Sequence, residues 1–427
     1  MPGNVDDEAP TDDHRSPRVL LALDKFKGTL TSRDAADAVR RGIERGSSEV
    51  STQVIAVADG GDGTVEAAAD AGYERQSITV SGPFGDTAHA LIATHGRTAV
   101  AEVAGICGLA HQHRTDAEHS LAATSLGVGE ALIALLERGF THVILGLGGS
   151  ATTDGGAGML TGLGARLLDG DGHDLRPGGG SLGGLTTIDW SGLDPRLRDV
   201  DLLIASDVDS PLLGPTGAAR MFAPQKGADA AAVESLEYGL GVFADVLAAH
   251  PPPLADATAC SLVRVPGAGA AGGLGFGTLL IGGRIASGSQ LMMELLDVRA
   301  AVAAADLVVT GEGSLDEQSL RGKVPVAIAA IAAEHAVPAL AVVGRCSLSE
   351  DAWRAAGFGD VWQLIDVADT EASSEASCTA LEQLGERLAT TLAGTRPLDP
   401  AGTVAALSNL KRSGLRPDDD REVRCRS

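Results

Sequence analysis

HVILGLGGSATTDGGAGMLTGLGARLL (His142–Leu168) reads as a buried strand, a glycine-rich turn and a helix. The apolar run His142–Leu147 predicts the strand, and the helix is expected over about Ala157–Leu168. Between them six glycines (Gly146, Gly148, Gly149, Gly155, Gly156 and Gly158) surround Ser150, Thr152, Thr153 and Asp154. A plain tight turn needs one or two glycines. Bare amides, hydroxyls and a helix N-terminus together make an anion cradle. The spacing therefore nominates Gly148, Gly149, Ser150, Thr152, Asp154, Gly155 and Gly156 as phosphate-binding residues.

The same strand–loop–helix alternation extends outward in both directions. Val19–Leu23 predicts a strand, followed by a helix from Thr31 or Ser32 to about Arg45. Further strands are expected at Val54–Ala58, Leu202–Ser206, Leu307–Thr310, Ala339–Val343 and Val361–Ile365, with helices near Val326–His335 and Ala376–Ala393. Alternating buried strands and helices imply an α/β protein with mostly parallel sheets, whose ligands bind outside the carboxyl ends of the strands. Those ends carry Asp24, Asp59, Asp207 and Glu312, acids suited to magnesium and hydroxyl groups. The first and last portions are regular βα units and the middle is richer in glycine. The expected division is a discontinuous domain, 17–82 with 300–395, and an inserted domain, 83–299. Residues 1–16 and 396–427 read as loosely packed extensions.

Composition narrows the function. At 427 residues two domains are the default. A net charge of −24 argues against nucleic acid and anionic membranes as partners. The acidic N-terminus resembles neither a signal nor a transit peptide. No uninterrupted apolar run approaches the roughly 20 residues of a membrane span, so a cytoplasmic location is expected. Cys107, Cys260, Cys346, Cys378 and Cys425 are scattered without C-x-x-C spacing, which excludes a disulfide framework or structural zinc as expectations. The histidines His111, His113 and His119 read as a solvated loop, with metal binding as the lesser alternative.

Lysine is scarce. Of 33 Lys and Arg, five are lysine, and three of these adjoin a glycine in a loop motif: Lys27 in DKFKGT (Asp24–Thr29), Lys226 in PQKGA (Pro224–Ala228) and Lys323 in RGKVP (Arg321–Pro325). An ammonium is a compact point charge on a flexible stem, suited to reaching a phosphate over bare backbone; an arginine-rich coding bias is the bland alternative. Around these lysines lie ADGGDGT (Ala58–Thr64), with Asp59 and Asp62, and GEGSLDEQSLRGKVP (Gly311–Pro325), with Glu312, Asp316, Gln318 and Ser319. The latter is not a Walker A loop, because Glu317 and Val324 stand where its Gly and Ser/Thr belong. PGAGAAGGLGFG (Pro266–Gly277) signals close approach to a ligand or to another backbone, with plain helix packing as the equal alternative.

Together DKFKGTLTSRDAADAVRRG, VADGGDGT, GLGGSATTDGGAGM, ASDVDSPLLGPTGAARMFAPQKGA, PGAGAAGG and TGEGSLDEQSLRGKVP resemble the signature blocks of bacterial type I glycerate kinases, in unbroken order from about Arg18 to Ala393. The resemblance implies transfer of the ATP γ-phosphoryl group to D-glycerate with magnesium, typically giving 2-phosphoglycerate. It also implies a flavodoxin-like discontinuous domain, an inserted α/β domain, and an active site in the cleft between them. The departures are Ser210, Thr153 and Ser314 at positions where many members carry Asn, Asn and Arg.

On this reading Lys27 and Lys323 meet substrate carboxylate or phosphate charge, and Asp207 is the candidate base. Asp24, Lys25, Asp59, Asp62, Glu312, Asp316 and Gln318 bind substrate. The Gly148–Gly156 loop and Lys226 bind nucleotide, and Asp59, Asp207 and Glu312 are magnesium candidates. The expected partners are D-glycerate and ATP, with the protein a monomer or homodimer. Two alternatives remain open. Gly146-x-Gly148-x-x-Ala151 after a strand, with Asp169 about 20 residues on, also fits a dinucleotide-binding oxidoreductase. A non-catalytic binder of a small acid is the third class.

Overall fold

The computed structural model describes residues 16–26, 29–57, 63–112, 114–254, 258–364, 374–394 and 402–403. Its strands are β1 (Arg18–Leu23), β2 (Ser51–Val54), β3 (Glu74–Ser81), β4 (Thr87–His95), β5 (Thr98–Glu102), β6 (His142–Gly146), β7 (Arg166–Leu168), β8 (Thr187–Asp189), β9 (Asp201–Ala205), β10 (Arg284–Ala286), β11 (Leu307–Leu315), β12 (Ala339–Cys346) and β13 (Asp360–Gln363). The described chain divides into two units, one formed by residues up to Val54 and from Arg299 onward, the other by Ile55–Val298.

The first unit is a five-stranded parallel sheet in the order β13-β12-β11-β1-β2. Numbered within the unit this is 2-1-3-4-5, the flavodoxin-like order, whose winding reverses between β1 and β11. One sheet face (Val19, Leu21, Leu23, Leu307, Val309, Leu340, Val342) is covered by the helices Ser32–Gly46 and Ser374–Gly394. Thr31 caps the first of these, its side chain accepting from the Asp34 amide. The two helices touch backbone to backbone: a Cβ on Gly42 would stand 1.9 Å from the Glu382 carbonyl oxygen, and one on Gly385 2.2 Å from that of Val39. With aromatics only 3% of the chain, small residues at such crossings replace bulky ones as the means of close packing.

The second unit holds a six-stranded sheet, β10-β9-β6-β5-β4-β3. β5, β6, β9 and β10 are parallel, and the hairpin β3–β4 is antiparallel at one side. β7 and β8 form a separate two-stranded ribbon.

Three expectations change. The first domain boundary, placed between 82 and 83, falls within the β3–β4 hairpin, whose strands pair over their full length in the second sheet; the division lies at Val54 instead. The strand expected at Val54–Ala58 is β2, Ser51–Val54, and the apolar residues after it belong to the second unit. The helix after the glycine loop ends at Gly162, not Leu168, because Gly164 takes φ 102° and the chain turns into β7. In addition, Ala117–Glu137 is long and apolar enough to cross a membrane on length and composition. It consists of two helices, Ala117–Ala122 and Leu126–Glu137, and is mostly buried.

Candidate functional site

In the first unit, strand alternation decides which side chains meet. Leu307, Val309 and Gly311 face one way; Val308, Thr310 and Glu312 face the other. β1 pairs with β11 as Leu23 to Gly311, and the Asp24 amide donates to the Gly311 carbonyl at 2.8 Å. Asp24 and Glu312 are therefore neighbours at the carboxyl end of the sheet, where its winding reverses. Asp24 is 9% exposed and Glu312 6%. The helix Val324–Glu334 packs over β1 and β11, with Pro325 in its first turn. Lys323 is its N-cap residue and places Nζ 3.3 Å from Glu312 Oε2.

Two buried oxygens on this face, Glu312 Oε1 and Thr310 Oγ1, have no hydrogen-bond partner among the described residues. Such groups are costly in a folded chain and mark places that a ligand or solvent completes. Burial pushes the Glu312 carboxyl above the ordinary range, while the Ser319 hydroxyl and the Lys323 charge pull it back only in part. Asp316 has a scaffold role: its Oδ1 accepts from the amides of Gln318 and Ser319, closing the turn that carries Lys323. Burial pulls its carboxyl upward, but those amides and the Lys323 charge outweigh it and hold it low. Gln318 is exposed, and Lys25 is half-buried with its amide on Asp24 Oδ1 at 2.6 Å. Lys27, Asp59, Asp62 and His113 lie outside the described residues.

In the second unit the carboxyl ends of four parallel strands are level: Glu102 pairs with Gly146, Gly146 with Ala205, and Ala205 with Ala286. Asp207 follows β9. Its Oδ1 accepts from Ser287 Oγ at 2.8 Å and from the Gly288 amide at 2.9 Å, with the Ser289 amide 3.4 Å from Oδ2. It anchors the start of the helix Gly288–Leu295, so the proposed base already serves a structural bond.

The glycine loop departs most from expectation. Asp154 is buried, and its carboxylate accepts from the Ser125 amide and hydroxyl and from the amides of Gly156 and Gly158. The protein's own acid thus fills the helix N-terminus where a phosphate was expected. Gly155 donates to the Gly272 carbonyl, Ala151 to that of Cys107, and Thr152 to Ser150 Oγ. Ser150, Thr152, Asp154, Gly155 and Gly156 are all buried; Gly148 and Gly149 remain half-exposed.

The physical cause is the second glycine-rich segment, which lies against the first. A Cβ on Gly272 would stand 1.9 Å from the Thr152 carbonyl oxygen, one on Gly273 2.7 Å from the Gly155 Cα, and one on Gly277 2.8 Å from the Gly156 Cα. Of the meanings of PGAGAAGG, approach to another backbone is the one realised.

Lys226 is likewise internal. It is 2% exposed, and Nζ donates to the Thr152 carbonyl at 2.5 Å. Burial lowers its pKa from the ordinary 10.5 to about 8, against the opposing influence of Cys107 and Asp154. It props the loop from beneath, its charge spent on that carbonyl. Asp169, the ribose-binding acid of the oxidoreductase alternative, lies in the turn between β7 and Asp174, its Oδ1 accepting from the amides of Asp171 and His173. β7 is outside the main sheet, and the strands that neighbour β6 are β5 and β9, so Asp169 does not stand at the end of a strand beside β6 as the dinucleotide-binding geometry requires.

Glu102 was overlooked in the sequence. It closes the run TAVAE (Thr98–Glu102) as Asp207 follows β9, and its Oε1 accepts from the Val65 amide at 2.6 Å. A strand-end acid after an apolar run was the available signal.

Comparison with known proteins bears on all of this. The glycerate kinase family profile matches residues 19–393. The chain is 40% identical over 353 residues to a glycerate kinase of Bacillus subtilis, covering 82% of this chain and 90% of that protein. It is 40% identical over 339 residues to glycerate 2-kinase of Escherichia coli, covering 78% and 86%. A crystal structure from Salmonella typhimurium LT2, provisionally assigned as glycerate kinase 2, is similar with a TM-score of 0.73 at 33% identity, over 89% of this chain and 99% of that one.

Proposed function

The chain belongs to the glycerate kinase family, and from that premise we propose that it transfers the γ-phosphoryl group of MgATP to D-glycerate in the cytoplasm, giving 2-phosphoglycerate. The observation that carries the acceptor assignment is the pair of unsatisfied oxygens, Glu312 Oε1 and Thr310 Oγ1, beside Lys323 at the winding reversal of the first sheet. A hydroxy acid has the matching groups: a hydroxyl for the carboxylate and an anion for the ammonium. The E. coli relative's name, glycerate 2-kinase, supports the 2-position as the site of transfer.

Phosphoryl transfer requires positioning, neutralisation of charge and an acceptor for the hydroxyl proton. Lys323, with Lys27, meets anionic charge on the substrate or the transferring group. Glu312 takes the proton-accepting role in place of Asp207, because a carboxylate of raised pKa is the better base. Asp24 borders the same position, and Gly148 and Gly149 are the part of the glycine loop open to nucleotide. Magnesium would enter with ATP and would neutralise phosphate charge; Asp207 Oδ2, which has one long contact among the described residues, is a carboxylate oxygen that fits it.

A coupled assay for ADP tests the reading. ADP release from MgATP should depend on D-glycerate and saturate with it. Release that is independent of glycerate would contradict the assignment.

A further inference from the structure

We propose that Lys226 is a positioning residue for phosphoryl transfer: without touching MgATP, its ammonium holds the backbone of the glycine loop so that the Gly148 and Gly149 amides stay in place for the nucleotide. The proposal rests on the kinase reading above. Those two amides are half-exposed at the end of β6 and have no acceptor among the described residues; bare amides of this kind take anions. Glycine gives the loop no stiffness of its own, and Gly149 stands at φ 67°. Three bonds hold the chain around it. The Leu109 amide donates to the Gly149 carbonyl at 2.8 Å, the Ala151 amide to the Cys107 carbonyl at 2.9 Å, and Lys226 Nζ to the Thr152 carbonyl at 2.5 Å. The first two join the loop to one neighbouring segment, 107–112, and the side-chain amide of Gln112 donates in turn to the Lys226 carbonyl at 3.3 Å. Lys226 closes this frame, with its backbone on the neighbouring segment and its ammonium on the loop.

The fold itself does not call for a charge there. Among the described residues the ammonium makes that single hydrogen bond, and the titratable groups facing it are Cys107 and Asp154. Burial keeps the Cys107 thiol neutral, and the Asp154 oxygens are engaged by Ser125, Gly156 and Gly158. A buried charge so poorly compensated is a cost that an apolar side chain of similar size removes. What the charge supplies is a strong bond to one carbonyl, three residues beyond Gly149. The Thr152 carbonyl has one other donor near it, the Ser150 hydroxyl at 3.5 Å, so without the ammonium this buried oxygen is left almost unpaired. The loop then relaxes to pair it, and the open amides move with the loop. Displacement of such groups by an ångström is enough to cost rate.

The test compares the full-length wild type with K226M, whose flexible apolar side chain fills a similar space. It reads kcat, KM for MgATP and for D-glycerate, and hydrogen–deuterium exchange of residues 146–153 in the ligand-free protein. K226M should raise KM for MgATP about tenfold or more, leave KM for D-glycerate within about twofold, and speed exchange in the loop. A folded K226M with an unchanged KM for MgATP would overturn the role. So would one that raises both KM values alike, since the loss would then be general. A raised KM for MgATP with loop exchange as in wild type would also overturn it, because the ammonium would then touch phosphate itself. Should K226M fail to fold, the wild type decides. Its KM for MgATP should climb as pH passes about 8, where Lys226 gives up its charge, and a flat profile opposes the role. An inactive wild type would instead remove the kinase reading, while the exchange comparison still shows whether Lys226 holds the loop.

Discussion

Burial raises the Glu312 carboxyl in the folded chain, so between its unfolded and folded pKa values the native state binds more protons than the unfolded state. Its contribution to stability is complete below the unfolded value and is lost as pH rises through the folded one. An ionised Glu312 at neutral pH is thus a liability to folding. Glu312→Gln should leave Tm unchanged or higher and lower kcat at least about a hundredfold; a variant with near-normal kcat would take the residue out of the reaction.

Lys226 and Cys107 act in opposite senses. Lys226 loses its proton near pH 8 when folded but near its ordinary 10.5 when unfolded, so its term raises stability over that interval, by at most about 1.4 kcal/mol per pH unit. The facing Cys107 thiol is pushed up by burial and the nearby Asp154, so its term lowers stability once the unfolded thiol ionises, above about pH 8.5. Denaturant titrations of Cys107→Ala should therefore show stability rising from pH 8 to 10 more steeply than in wild type. At this scale the structure brings together Asp24, Glu312 and Lys323, which the sequence singles out by local patterns, acids after apolar runs and a lysine in a glycine turn; Glu312 lies within β11, which runs on to Leu315. The burial of Lys226 and Asp154 was not legible, because a lysine-glycine pair reads the same whether it meets a ligand or a carbonyl. Glu102 was missed although an acid closing an apolar run was there to read; its bond to the Val65 amide, 37 residues away, is visible only in the fold.

Between elements, the interlock of the two glycine-rich segments dominates the second unit. Gly272 has φ 71° and the Thr152 carbonyl where a Cβ would stand, while its neighbour Ala271 already occupies φ 52°. Gly272→Ala adds both a strained backbone and a backbone clash that has no flexible side chain to yield. It should destabilise by about 3 kcal/mol or prevent folding, as read by denaturant midpoint; a midpoint unchanged from wild type would show that the segments are free to part. Strands β1, β6, β9, β11 and β12 were legible as apolar runs ending in Gly or Asp. The hairpin β3–β4 was not: Glu74–Ser81 opens with four polar residues and has only Ile78 and Val80 as apolar ones, and its long pairing, visible only in space, moved the domain boundary.

At the scale of the whole molecule, the proposed reaction asks a chain of net charge −24 to bind two anions. General attraction cannot supply this, and the few local cations and backbone amides must. On the proposed function, these groups serve transfer to the 2-hydroxyl of D-glycerate. Phosphorus NMR of a reaction of the full-length protein with MgATP and D-glycerate tests it most directly. The predicted result is growth of ADP resonances together with one phosphomonoester signal split as a doublet by the single proton on carbon 2. A triplet, from the methylene at carbon 3, would contradict the regiochemistry, and inorganic phosphate alone would contradict the transfer.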